Sequence, residues 1–280
     1  MPELPEVEVI RQRILPRVIG RSVVEVIVRN PNLRRPVSPK LAAGLPGQAL
    51  SDIARRGKYM LLRFASGTVI LHLGMTGFLQ AVDAARVPDR HDHVELVFSH
   101  GLCLRLNDYR RFGLVIWTTD YPLRHPLLAG LGPEPLEQGF GGGYLYHRSR
   151  GRTVPIRQFI MDQRIVAGVG NIYANEALFL ARLHPATPAG AVSRNRCGKL
   201  AKAVRSVLQN AIDHGATIRE AIAGSDYHHH FPLQLMVYGR GGEPCRNCGT
   251  LLEAARISQR ATYFCHKCQR RPSGKSQEGA

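Results

Sequence analysis

Four cysteines near the C-terminus restrict the fold of this chain more than any other feature. Cys245-x2-Cys248 and Cys265-x2-Cys268 form two pairs separated by sixteen residues. Two such knuckles supply four thiolates, the ligand set of tetrahedral structural zinc. A redox dithiol needs one pair, not two. An iron–sulfur cluster stays open on ligand type, although its usual spacings differ. Four thiolates leave no coordination position for water, so a zinc ion here holds structure and does no chemistry. The intervening stretch Ser258-Gln-Arg-Ala-Thr-Tyr-Phe264 alternates like a hairpin. Arg260 falls at or near its turn, where it either reaches a phosphate or is a solvated charge. Cys103 and Cys197 have no partner pattern, and Cys103 is expected in the core of a strand.

The charge balance narrows the partner. Across 280 residues there are 38 Lys and Arg against 21 Asp and Glu, a formal net charge of +17. Arginine carries most of it, and its planar fork suits phosphates and base edges. Such a surplus concentrates polyanions around a protein, so nucleic acid is the expected partner; a ribosomal or membrane-surface protein would also be basic. Apolar residues at 44% exclude a disordered chain. No stretch reaches the apolar length of a membrane span. The start, Met-Pro-Glu-Leu-Pro-Glu, is acidic where a signal peptide is cationic. A cytoplasmic, nucleoid-associated protein without a membrane partner is therefore expected. Its cysteines are then metal ligands or free thiols, not disulfides. No segment resembles a dimerisation seam, so a monomer is expected.

The order of periodicities gives the organisation. Residues 3–19 read as a helix, with Val7, Ile10, Ile14 and Val18 at helical spacing. β-rich runs follow at 22–29, 48–53, 58–64, 68–73, 94–98, 102–106 and 114–118, a pattern that suggests a sandwich or barrel-like sheet domain. Gly130-Leu-Gly-Pro-Glu-Pro135 and the glycines within 139–143 read as an interdomain linker. Beyond them the pattern is helical, at about 155–162, 170–182, 193–214 and 217–223. A mixed stretch, 224–236, carries three consecutive histidines, read as a solvated loop or a metal site.

The N-terminus offers unusual chemistry. A proline at position 2 permits removal of Met1, which would expose a secondary amine. An α-amino group titrates near 7.7–8.0, so part of it is nucleophilic at neutral pH. Attack on a sugar C1′ would give an iminium, from which the strand can be cut by elimination. Glu3 could handle a proton, with Glu6 one helical turn on. On composition alone, Pro2, Glu3, Pro5 and Glu6 read as a plain helix start in preference to a nucleophile and its acids.

Taken with the cysteine pattern, Met1-Pro-Glu-Leu-Pro-Glu-Val-Glu8 resembles the bacterial formamidopyrimidine-DNA glycosylases. The resemblance continues through Arg56-Gly-Lys-Tyr59, Leu71-His-Leu-Gly-Met-Thr-Gly77, His91-Asp-His93, Arg110-Arg-Phe-Gly113 and Leu131-Gly-Pro-Glu-Pro135. Met161-Asp162, Gly168-Val-Gly-Asn-Ile-Tyr-Ala174, Gln234–Arg240 and Gln259-Arg-Ala-Thr262 complete it, in family order over nearly the whole chain. The resemblance implies an α+β multidomain protein. Its parts are an N-terminal catalytic β-sandwich with flanking helices (1–134), a helix–two-turn–helix domain (135–235), a four-cysteine zinc-finger hairpin (236–270) and a disordered tail (271–280). One structural zinc would be held by Cys245, Cys248, Cys265 and Cys268.

The implied activity is excision of oxidised purines from double-stranded DNA, followed by β,δ-elimination. Pro2 would be the Schiff-base nucleophile and Glu3 the proton donor and acceptor, supported by Glu6. Lys58 would assist the first elimination and Arg260 the second. His72 and Asn171 would hold phosphates, and His91 and Arg152 would contact DNA. Met75, Arg110 and Phe112 would fill the gap left by the flipped nucleotide; their residue types suit an apolar plug with a hydrogen-bonding head. Without the resemblance, Met75 and Phe112 read as core and His72 and His91 as structural histidines. Gly168 and Gly170 do not make a dinucleotide fingerprint, because Tyr173 stands where a small residue is needed. They suit a helix entry that lets a phosphate approach.

Two departures bear on specificity. In the stretch where the family closes a loop over the base, only Thr217 and Phe231 persist, which opens oxidised pyrimidines or hydantoins as alternative substrates. Tyr109 stands where the family has proline before the paired arginines. A non-enzymatic zinc-finger DNA binder is the competing class, but it has no use for a terminal amine beside Glu3 and Lys58.

Overall fold

The computed structural model describes residues 1–216 and 234–271. The chain forms two compact units. One takes Met1–Leu131 with the described residues 211–216. The other takes Gly132–Asn210 with the described residues 234–271. The helix expected at 217–223, the histidines His228–His230, Thr217, Phe231 and the tail after Arg271 lie outside the described residues.

The first unit opens with α1 (Leu4–Val18), carries the short helices α2 (Pro39–Gly44) and α3 (Pro126–Ala129), and contains two four-stranded antiparallel sheets. One sheet has the order β1 (Val23–Val28), β6 (Asp92–Phe98), β7 (Leu102–Asn107), β5 (Phe78–Asp83). The other has the order β2 (Asp52–Arg56), β3 (Tyr59–Phe64), β4 (Gly67–His72), β8 (Leu114–Thr118). Strand alternation explains the layering. Met60, Leu62 and Phe64 of β3 share a core with Val69 and Leu71 of β4, Leu96 of β6, Leu104 of β7 and Val7, Ile14 and Val18 of α1. The intervening Leu61 and Ile70 point the other way, onto Leu128 and Leu131. Cys103 is fully buried in β7, as a core cysteine should be.

Three sequence expectations change here. No expected run covers β5, because Gln80 and Ala81 are weak strand formers; pairing with β7 and burial of Leu79 and Ala81 override that preference. The run expected at 48–53 is a strand only from Asp52, and it continues through Arg55 and Arg56. Residues 49–50 bond instead to the segment after α1, through Leu50 to Arg21 and the Ser22–Ala49 bridge. The glycines at 142–143 are not linker: they begin α4 (Gly142–Ser149). A Cβ on Gly142 would sit 2.4 Å from the Gly198 Cα, so this glycine permits close helix packing.

The second unit holds α4, α5 (Ile156–Met161), α6 (Asn171–Leu180) and most of α7 (Arg194–Asp213). Two turns join α5 to α6, giving the helix–two-turn–helix arrangement. The finger hairpin pairs β9 (Glu253–Ile257) with β10 (Arg260–Phe264). Among the described residues, no helix is long and apolar enough to cross a membrane.

Candidate active site and metal centre

The N-terminal residues are buried at the head of α1. Pro2 is buried, Glu3 is 2% exposed, and Glu3 and Glu6 form a capping box. The Glu3 amide donates to Glu6 Oε2 at 2.7 Å, while the Glu3 side chain accepts from the Glu6 amide. Carboxylates suit this end of a helix, where unpaired amides and the macrodipole are positive. The plain helix-start reading is therefore correct as structure. It also fixes two carboxyl groups beside Pro2.

Lys58 occupies a two-residue turn between β2 and β3, flanked by the Arg56–Tyr59 pair. Gly57 takes φ +57°, which such tight hairpins require. Lys58 is only 6% exposed, unusual for a lysine on a turn. Arg55 braces this turn: its Nε donates to Glu8 Oε2 (3.0 Å) and its Nη1 to the Gly57 carbonyl (3.2 Å). Glu8 also accepts from Arg11, whose Nη1 reaches the Ile53 carbonyl at 3.2 Å. Burial raises the Glu8 pKa, but its bonds and charge interactions with Arg11 and Arg55 outweigh this and hold the carboxyl below its ordinary range. One carboxylate thus ties the helix bearing Pro2 and Glu3 to the turn bearing Lys58. No local pattern in the sequence signals this pairing.

His72 stands at the end of β4, its ring 4.7 Å from Tyr59. Burial, then the Lys58 and Arg34 charges, push its pKa down to about 4. Nδ1 lies 2.9 Å from the Gly74 amide and accepts from it. The proton therefore sits on Nε2, and a neutral His72 presents one N–H donor.

The loops after β4 and before β8 carry Met75, Arg110 and Phe112. Met75 and Phe112 are each 42% exposed, contrary to a core role. The Arg110 guanidinium lies 4.6 Å over the Phe112 ring. Gly74, at φ +67°, lets the loops touch: a Cβ there would lie 2.5 Å from the Phe112 carbonyl carbon. Asp108, fully buried, organises both. Its Oδ1 accepts from the Thr76 hydroxyl (2.8 Å) and its Oδ2 from the Gly113 amide (2.7 Å). His93 Nε2 bonds the Asp108 carbonyl at 2.9 Å. His91 is half-buried, with its ring against Tyr109.

In the second unit, the four cysteine sulfurs lie within 4.8 Å of one another. Three pairs measure 3.5, 3.6 and 4.0 Å. A tetrahedron with zinc–sulfur bonds of 2.3 Å has edges of about 3.8 Å, so the cluster fits the ion. Bonds from Thr250 pull the Cys248 thiol down to about 6, whereas burial pushes Cys265 up to about 12. A cation is what lets all four become thiolates together. The ion is zinc, held for structure.

The hairpin turn is Ser258–Gln259, with φ +49° and +62°. Neither is glycine, so the left-handed backbone costs roughly 1–2 kcal/mol per residue. Clamps on both sides offset it. Ser258 donates to Gln158 Oε1 at 2.8 Å. Arg157, 1% exposed, donates to the carbonyls of Ile257 (3.3 Å) and Ala261 (3.1 Å). Arg157 also bonds Asn171 Oδ1, and Asn171 Nδ2 donates to the Ala261 carbonyl at 3.2 Å. The Asn171 side chain thus serves the hairpin, while its amide stands at the head of α6. Arg260, the first residue of β10, is exposed next to this braced turn. Arg152 is also exposed. Glu176 on α6 accepts from the amides of Met236, Val237 and Tyr238 at 2.8–2.9 Å, anchoring the entry to the finger. No sequence motif marks Arg157 or Glu176, because their partners are distant in the chain.

A four-thiolate hairpin beside a helix–two-turn–helix element, in a strongly basic chain, defines a zinc-bearing DNA-binding protein. Residues 1–115 match the formamidopyrimidine-DNA glycosylase N-terminal domain, and residues 131–222 match that family's H2TH domain. Residues 242–271 match the zinc finger found in FPG and IleRS. The chain is 52% identical over 270 residues to the formamidopyrimidine-DNA glycosylase of Geotalea uraniireducens, covering 96% of this chain and all of that protein. It is 50% identical to that of Methylococcus capsulatus over 271 residues, with the same coverage. Among solved structures, Lactococcus lactis FPG (MutM) in complex with Fapy-dG containing DNA aligns with TM-score 0.87 and 30% identity, over 96% of this chain and all of that one. The MutM (FPG) protein of Thermus thermophilus aligns with TM-score 0.84 and 35% identity, over 96% of this chain and 98% of that one. The chain belongs to the formamidopyrimidine-DNA glycosylase family.

Proposed function

We propose that this protein is a bifunctional base-excision-repair enzyme. It removes oxidised purines, 8-oxoguanine and formamidopyrimidines, from double-stranded DNA and then cuts the strand as an AP lyase. The observation that carries this reading is the buried head of α1, where Pro2 lies beside the paired carboxyls of Glu3 and Glu6. While Met1 is present the Pro2 nitrogen is a tertiary amide; removal of Met1 makes it a secondary amine. That amine attacks C1′ and the bond to the damaged base breaks, the base leaving with a proton. Glu3 then protonates O4′ as the C1′–O4′ bond opens, which gives the iminium. The iminium acidifies the C2′ hydrogen, and its loss expels the 3′ phosphate with Lys58 assisting. A second elimination expels the 5′ phosphate, with Arg260 on that oxygen. Neutral His72 and the α6 N-terminus at Asn171 hold phosphates by N–H donation. His91 and Arg152 contact DNA, and Met75, Arg110 and Phe112 occupy the emptied stack.

The functional division follows 1–134 for catalysis, 135–235 for DNA binding and 236–270 for the zinc finger. The protein acts as a cytoplasmic, nucleoid-associated monomer with no membrane partner. A second substrate class stays in view. The Lactococcus lactis relative has been solved with oxidised-pyrimidine containing DNA at TM-score 0.88.

The decisive experiment is borohydride trapping on duplex carrying 8-oxoguanine opposite cytosine. A covalent adduct should form, map to residue 2, and disappear after chemical blocking of the terminal amine. Absence of an adduct on oxidised purines and oxidised pyrimidines alike would sink the enzymatic reading.

A further inference from the structure

Tyr109 is 69% exposed, the most open tyrosine among the described residues. Its place in the fold makes that exposure informative. The Arg111 amide bonds the Asp108 carbonyl at 3.1 Å, closing a β-turn with Tyr109 and Arg110 at its two corners. Asp108, the first residue of that turn, also accepts from the Arg110 amide through Oδ1 at 3.3 Å. The turn is thus held by Asp108 and makes no demand for an aromatic residue at its first corner. That corner is where proline fits best. Yet the Tyr109 ring is oriented, edge-to-face on His91 at 4.9 Å and 84°. Its neighbour Arg110 lies over Phe112, and Met75 sits on the loop that touches Phe112. Consecutive corners of one turn thus carry an exposed tyrosine ring and an exposed guanidinium, the guanidinium lying over an exposed phenyl ring whose loop meets that of exposed Met75. In a chain of net charge +17, the planar, apolar group that meets a guanidinium on such a surface is a nucleobase.

We infer that Tyr109 is a specificity-determining residue. Its ring stacks on a base of the undamaged strand next to the gap that Met75, Arg110 and Phe112 fill. Arg110 addresses the orphaned partner base, and Tyr109, across the same turn, meets the adjacent base on that strand. The ring thereby adds to the preference for gapped over intact duplex. The inference rests on the gap-filling reading of this loop given above.

The test measures binding of the full-length protein to two duplexes, one intact and one carrying a stable tetrahydrofuran abasic site. A 2-aminopurine sits in the undamaged strand next to the position opposite the gap. Tyr109→Pro suits the turn, so its melting temperature should equal or exceed that of the parent. It should bind the gapped duplex about tenfold more weakly, within the range of one base–aromatic stack, and the intact duplex equally well. The 2-aminopurine, quenched by stacking in the parent complex, should brighten. Tyr109→Phe should behave as the parent. If Tyr109→Pro melts lower, Tyr109→Ala repeats the measurement without constraining the turn. Parental affinity for the gapped duplex, an equal loss on both duplexes, or unchanged fluorescence overturns the inference alone. A parent protein with no preference for the gap overturns it together with the glycosylase reading.

Discussion

The finger and the head of α1 each hold a functional group on a short, tight piece of backbone, but by opposite means. In the finger, four sulfurs converge on one ion and buried Arg157 clamps the carbonyls on both sides of the Ser258–Gln259 turn. Removing one sulfur removes the whole cluster. At the head of α1 no single group dominates. The capping box of Glu3 and Glu6, the Glu8 pairs with Arg11 and Arg55, and the Gly57 turn each contribute a modest share. The finger should therefore fail all at once, whereas the active-site corner should weaken by degrees.

The largest expected effect tests the first half of that contrast. Cys245→Ser should lose zinc by metal analysis and nearly all duplex affinity, because structural zinc binding is worth about 10–16 kcal/mol of folding energy in small fingers. The α1-bearing unit should keep its own thermal transition. Unchanged affinity would remove the finger from DNA binding.

A graded loss tests the second half. Glu8→Ala strips the carboxylate from half-buried Arg11 and Arg55 and should cost about 2 kcal/mol of stability, the range of a hydrogen bond to a charged group. Well below the melting temperature, strand cleavage should fall roughly tenfold, as the Lys58 turn loosens (about 1.4 kcal/mol per decade). Duplex affinity should not change. A parental cleavage rate would show that the Arg55 brace is dispensable.

The smallest effect is a pH dependence. An unfolded histidine titrates near 6.5, whereas His72 is held near 4 in the folded protein. Between these values the unfolded chain binds the extra proton. The stability that neutral His72 contributes is therefore complete above 6.5 and is lost as pH falls toward 4. Urea melts at pH 7 and pH 5 should differ by about 1–2 kcal/mol more in the parent than in His72→Gln. Equal differences would mean that His72 is not held neutral.

Much of the architecture was legible because it rests on local rules. The helix beginning near Glu3 carries a 3.6-residue apolar period, and β8 at Leu114–Thr118 has the bounds its residue pattern predicted. The zinc module follows from the chemistry of four thiolates, whatever surrounds them. Pro2 and Glu3 could be named only by resemblance, since their residue types by themselves favour a plain helix start.

By itself, then, the sequence determined the zinc ligands, the main periodic elements and the basic partner surface, each encoded within a few residues. Only the tertiary structure decided how the functional groups are held. Glu8 meets Arg55 across 47 residues and Arg157 meets Ala261 across 104. Asp108 reaches back 32 residues to Thr76. β5 and α4 likewise exist because β7 and Gly198 supply the surfaces they pack on. A buried charge or a packing glycine takes its meaning from partners that no local period records, which is why these supports became visible only in the fold.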